Sequence, residues 1–223
     1  MPLAFGGFYV YSINMAVKDN SVNIGVRSAE SRAPYHHGDL GAALIAAGMA
    51  ALDSGTSVDD LSLRALARTV GVSATAVYRH FPDKGALLHA LANAGLDRMN
   101  AMQRTAATAV GHEGPNAAFC ASGGAYVRFA LAHPQLFRLI WRTAPSADLL
   151  DASLENSHPG MVDLRQGIDA VLPADATPRE RRIAALKSWS LVHGLATLAL
   201  DKQVMLDDAM IDQVVAAAIA GQG

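Results

Sequence analysis

Residues 62–84 read SLRALARTVGVSATAVYRHFPDK, and the order of capping, apolar and turn residues in this stretch decides the fold. Ser62 is placed to cap a helix whose apolar stripe is Leu63, Leu66, Ala67 and Val70, the i, i+3, i+4, i+7 spacing of one helical face. Gly71 then supplies a left-handed stop. Ser73 can cap a second helix that buries Val77 and Phe81. Pro82 ends it, because the residue before a proline is pushed out of the α region. Two short helices joined by a glycine turn form a helix-turn-helix. If Leu66, Ala67 and Val70 pack on Val77 and Phe81, then Ala74, Thr75, Tyr78, Arg79 and His80 face outward. The small residues let this helix enter the ~12 Å major groove of DNA. Thr75 can touch a base or a thymine methyl, and Arg79 can reach guanine or phosphate. Tyr78 and His80 suit phosphate oxygens, and Lys84 opens the next helix, whose N–H groups also favour phosphate. With Arg64 and Ser73, these residues are the candidate DNA contacts. An ordinary helical hairpin with a solvated face is the other reading of the same spacing.

The rest of the chain agrees with an all-α fold. Its 223 residues contain 43 Ala and 25 Leu against 24 Val plus Ile, an excess of helix formers over β-branched residues. Hydrophobic residues make up 51%, enough for a sizeable core. The net charge of −2 argues against nucleic acid on average. However, residues 61–84 hold Arg64, Arg68, Arg79 and Lys84 against Asp83 alone. Cys120 is the only cysteine, which excludes an intramolecular disulfide and a cysteine-rich zinc site. No run of 18 apolar residues occurs, so no membrane partner is expected, and a reducing cytoplasm suits the lone thiol.

Working outward, Leu40, Leu44, Ala47 and Ala51 predict a helix ended by Gly55, and residues 83–104 predict a longer one. Gly95 inside it costs about 1 kcal/mol relative to Ala. Further helices are expected after Pro115, over residues 136–141, 161–171 and from the Thr177/Glu180 capping box to about residue 201. A last helix spans residues 207–220. Residues 144–160 read as the longest loop. The expected division is a mobile N-terminal tail (1–34, with Met15 an alternative start), a helix-turn-helix domain (35–84), a linking helix (85–104) and a C-terminal domain (105–223).

Leu63-Arg64-Ala65-Leu66-Ala67, Gly71-Val72-Ser73 and Val77-Tyr78-Arg79-His80-Phe81-Pro82-Asp83-Lys84 resemble the DNA-binding domain of the tetracycline-repressor-like (TetR) regulators. Tyr35-His36-His37-Gly38-Asp39-Leu40 resembles one branch of that family. Ala65 and Gly85 stand where the family often has an acidic residue, which weakens capping support. Ala74 and Ala76 leave the outward face poor in hydrogen-bonding groups. Tyr126-Val127-Arg128-Phe129-Ala130, His133-Pro134-Gln135-Leu136-Phe137-Arg138-Leu139 and Trp189…His193-Gly194 resemble the family's C-terminal domain named for its Trp/His/Gly (WHG) motif. The resemblance implies a homodimeric repressor that binds an inverted-repeat operator in double-stranded DNA and responds to a small effector.

The residues support a dimer on their own. Only Ser190, His193 and Thr197 are polar between Trp189 and Leu200, and a helix apolar nearly all round is buried on both sides. Gly194 and Ala196 permit close helix approach, and Leu198, Ile211 and Val215 add apolar surface for the same interface. The central helix of a monomer is the alternative. Aromatic residues on three segments (Tyr126 and Phe129; Phe137 and Trp141; Trp189 and His193) could wall an effector cavity. A hydrogen-bonded core histidine and plain core packing are the competing readings. No acidic cluster lies among them, so the expected effector is an apolar, neutral or anionic compound. No cofactor and no metal are expected, since His36 and His37 have no partners at ligand spacing. A helical enzyme using His36, His37 and Asp39 is the rival function, but no nucleophile–base pair or phosphate loop supports it. A DNA-binding dimer without an effector is the third reading.

Overall fold

A computed structural model describes residues 40–144 and 159–220 (the backbone only for 219 and 220), all within one compact unit, residues 36–223. The expected tail, the residues His36, His37 and Asp39, and most of the 144–160 loop lie outside the described residues. Among those described there are nine α-helices and no strand.

The first three helices are α1 (Leu40–Asp53), α2 (Leu63–Val70) and α3 (Ala74–His80). The inward stripe of α1 is Leu40, Leu44, Gly48 and Leu52 rather than the expected Ala47 and Ala51, which are half-buried. Gly48 sets this register: a Cβ there would stand 2.8 Å from Leu91 Cδ2, so the leucine of the next long helix fills the space. Ser62 Oγ accepts from Ala65 N and Ser73 Oγ from Ala76 N, so both short helices start where their caps place them. Gly71, at φ 78°, turns the chain between them.

Asp83 caps α4 (Lys84–Ala109) through Ala86 N, so the helix has its acidic cap despite Gly85. It runs five residues beyond the expected end at Arg104, because the next stop residues are Val110 and Gly111. One 3-10 turn, Gly111–Glu113, leads to α5 (Pro115–Ala132), followed by α6 (Pro134–Thr143), α7 (Pro159–Val171), α8 (Pro178–Leu200) and α9 (Asp208–Ala220). Prolines in the first turn open α5, α6 and α8, where a missing N–H removes no helical hydrogen bond. The Thr177/Glu180 capping box is formed in both directions.

The main core lies between α4, α5 and α6, with Leu87, Leu91, Val127, Phe129, Leu136, Leu139 and Ile140 fully buried. Gly95 has a packing reason: a Cβ would meet Leu136 Cδ1 at 2.7 Å and Cγ at 2.9 Å. Its loss of helix propensity permits α6 to seat against α4. A smaller core of Ile168, Ala184 and Ala185 gathers Phe119, Leu164 and Leu172 where α7, α8 and the start of α5 meet.

Candidate DNA-binding surface and C-terminal core

The α2–α3 pair buries Leu66, Ala67, Val77 and Phe81 and leaves Ala74, Thr75, Tyr78, Arg79 and His80 exposed. One seven-residue helix thus has an anchored side and a free side. Tyr78 is 46% exposed, a large apolar ring held at the surface by the packing of its neighbour Val77. Arg64 and Ser73 are exposed as well, although Ser73 Oγ is engaged as the helix cap. Lys84, at the start of α4 as expected, has its Nζ donating to the Asp59 carbonyl oxygen at 2.6 Å. The ammonium is therefore positioned by the loop before α2, beside the start of α4.

In the C-terminal half, Tyr126, Phe137, Trp141, Trp189 and His193 come together. The His193 ring lies 5.2 Å from Trp141, 5.6 Å from Phe137, 6.3 Å from Trp189 and 6.4 Å from Tyr126, centroid to centroid. Its Nδ1 is 2.9 Å from the Tyr126 hydroxyl. Burial pushes the His193 imidazole below its ordinary range, keeping it neutral near pH 7. Burial raises the Tyr126 hydroxyl far above its own, against a smaller opposing effect of Trp189 and Trp141. Both indole Nε1 atoms are buried near that hydroxyl without a hydrogen bond of good geometry. Phe129, completely buried, packs on His133 at 5.1 Å instead. The rings touch one another rather than line an open chamber. A shallow depression of about 520 Å³ lies elsewhere, lined by Leu172, Pro173, Glu180, Ile183 and Lys187 among others.

The expected interface residues divide. Ala196, Ile211 and Val215 are buried inside the protomer, and Val215 Cγ1 would stand 3.0 Å from a Cβ on Gly123 of α5. Their apolar stripe faces the chain's own α5, so the core, not a partner, takes these side chains. Gly194 and Leu198 lie on the other side of α8. There Ile183, Leu186, Ser190, Gly194 and Thr197 follow one another by three- and four-residue steps, with Leu186 51% and Leu198 39% exposed. A Cβ on Gly194 would meet nothing within 4 Å. By length and hydropathy alone α8 could cross a membrane. Yet Arg179, Arg181, Arg182 and Lys187 ride on it, and it packs along α5, α7 and α9.

Two family models match the chain: the bacterial regulatory proteins of the tetR family over residues 54–91, and the tetracyclin repressor-like C-terminal domain over residues 119–221. A solved protein of unknown function from Rhodococcus sp. RHA1 is 39% identical, with 85% of this chain and 96% of that one covered and a TM-score of 0.63. A TetR from Acinetobacter baumannii AYE shares the fold at 21% identity, with 80% and 93% covered and a TM-score of 0.58. A tetR-family transcriptional regulator from Streptomyces coelicolor does so at 21% identity, with 81% and 80% covered and a TM-score of 0.57. Comparison with curated proteins gives no match.

The chain belongs to the TetR family. It is a transcriptional regulator with a helix-turn-helix DNA-binding fold, not an enzyme. In this TetR-family regulator two ties join the helix-turn-helix to the C-terminal core, and neither was read from the sequence. Asp53 Oδ1 lies 2.7 Å from His133 Nδ1, and Arg98 Nη1 donates to Asp53 Oδ2 at 2.7 Å. Burial would raise the Asp53 carboxyl, but the hydrogen bonds and charges of Arg98 and His133 outweigh it and hold the group below the usual carboxylate range. Arg142 Nη1 donates to Asp59 Oδ1 at 2.9 Å, a more exposed second tie. One signal was available: Asp53 sits at the C-terminal end of α1, where the helix dipole disfavours a carboxylate.

Proposed function

We propose that this regulator is a homodimeric repressor, acting in the cytoplasm on an inverted-repeat operator and released from it by a small apolar effector. The observation that carries the reading is α3, with Val77 sealed in the core and Thr75, Tyr78 and Arg79 turned outward together. Residues 35–84 would form the DNA-binding part, 85–104 the link and 105–223 the effector and dimer part. The outward stripe of α8 supports a second copy: an apolar helix face with an open glycine invites close packing. Two such units would place their α3 helices about one DNA turn apart, roughly 34–36 Å. The effector reading rests on the Tyr126, Phe137, Trp141, Trp189 and His193 cluster, in which burial keeps both titratable groups uncharged. A neutral apolar compound suits it, and entry requires the touching rings to part. Phe129 stays outside that group as core.

The test is operator binding to the DNA flanking the regulator's own gene. Arg79→Ala should abolish sequence-specific binding while sedimentation still shows a dimer, because Arg79 makes no intramolecular tie among the described residues. Retained affinity in this variant would remove Arg79 from the operator surface.

A further inference from the structure

We propose that Asp53 is a positioning residue for operator binding, holding the helix-turn-helix in its DNA-binding arrangement through His133 and Arg98. The inference rests on the operator reading above and adds the device that orients it. Three elements meet at this carboxylate. Asp53 ends α1, on which α2 and α3 both pack, so the placement of α1 sets theirs. Arg98 belongs to α4, and His133 is the single residue between α5 and α6. The His133 side chain is 14% exposed and its ring lies against the buried Phe129, so the tie ends on a rigid post. A carboxylate at a helix C-terminus opposes the dipole, and α1 has no basic residue in its last turn. Its compensation comes entirely from outside its own helix.

The same ten-residue α6 that starts at this tie carries Phe137 and Trp141 of the aromatic cluster. A shift of α6 that parts those rings therefore pulls on Asp53, while an undisturbed α6 keeps α1 seated. The charged groups facing His133 are Asp53 from α1 and, through it, Arg98 from α4; α5 contributes the uncharged Phe129.

The experiment measures affinity of the full chain for the DNA flanking its own gene, in Asp53→Asn, His133→Gln, the double variant and Asp163→Asn. Asp163 pairs with Arg104 between α7 and α4, away from α1, and serves as the control. Asp53→Asn and His133→Gln should each weaken binding about three- to tenfold, since a dimer has two ties, and the double no more than Asp53→Asn alone. Asp163→Asn should bind as wild type. Additive losses in the double variant, wild-type affinity in Asp53→Asn, or its unfolding would each overturn the proposal. Amide exchange without DNA separates this failure from failure of the operator reading. Asp53→Asn should speed exchange in α1–α3 and leave α5 and α8 unchanged, whether or not the operator is right, and unchanged exchange in α1–α3 would also overturn it.

Discussion

The α2–α3 pair and α8 solve opposite problems with the same building element. In α2 and α3 every outward residue is polar or small except Tyr78, and fifteen helical residues suffice because two serine caps and a glycine turn set their ends. In α8, 23 residues long, the inward face buries Ala184, Ala185, Val192 and Ala196 while Ile183, Leu186 and Leu198 stay uncovered. The first region presents a surface suited to a polar, charged partner. The second leaves large apolar side chains uncovered at the surface. Local signals dominate where the element is short, and unspent hydrophobic surface dominates where it is long.

The largest way to sharpen this contrast is to remove a side chain from the core and from the outward face in parallel. Phe129→Ala should cost about 3–5 kcal/mol in urea denaturation, because a fully buried ring leaves a cavity. Tyr78→Ala should stay within about 0.5 kcal/mol, since it empties surface only. A small loss at Phe129 would mean that the α5–α6 corner collapses around the gap.

Next comes the reserve surface of α8. A Cβ at Gly194 meets no atom within 4 Å in the protomer, so Gly194→Leu should fold, and helix propensity improves. Across a helix–helix interface the added side chain should cost about 1–3 kcal/mol and shift sedimentation toward monomer. A variant that remains fully dimeric would move the interface off this stripe.

The smallest effect is a pH dependence. His193 is held below its ordinary pKa of 6.5 by burial, so the unfolded chain takes up the proton first as pH falls. Stability is complete well above 6.5 and declines as pH drops through 6.5 toward the lower folded value. His193→Asn should flatten that part of the curve of melting temperature against pH. An unchanged slope would place the titration on another histidine.

The ends of α2 and α3, the glycine turn and the split of α3 into buried and outward residues were legible because each depends on neighbours within four positions. The capping box at Thr177 and the proline starts were legible for the same reason. The partners of α9 were not. Its stripe of Ile211 and Val215 was plain in the sequence, but whether it faced α5 or a second chain depended on Gly123 and Gly124, more than eighty residues upstream. The Asp53–His133 tie was hidden likewise, since its residues lie 80 positions apart.

By itself, then, the sequence determined that the chain is helical, where the short helices begin and end, and which face of α3 is free. These follow from backbone hydrogen bonding and the 3.6-residue period, which act within a few residues. Only the tertiary structure decided that Gly95 admits Leu136, that four aromatic rings close around His193, and that Asp53 bridges α1 to the α5–α6 corner. Those outcomes depend on which distant surfaces fill the same volume, and close packing resolves that choice for the whole core at once.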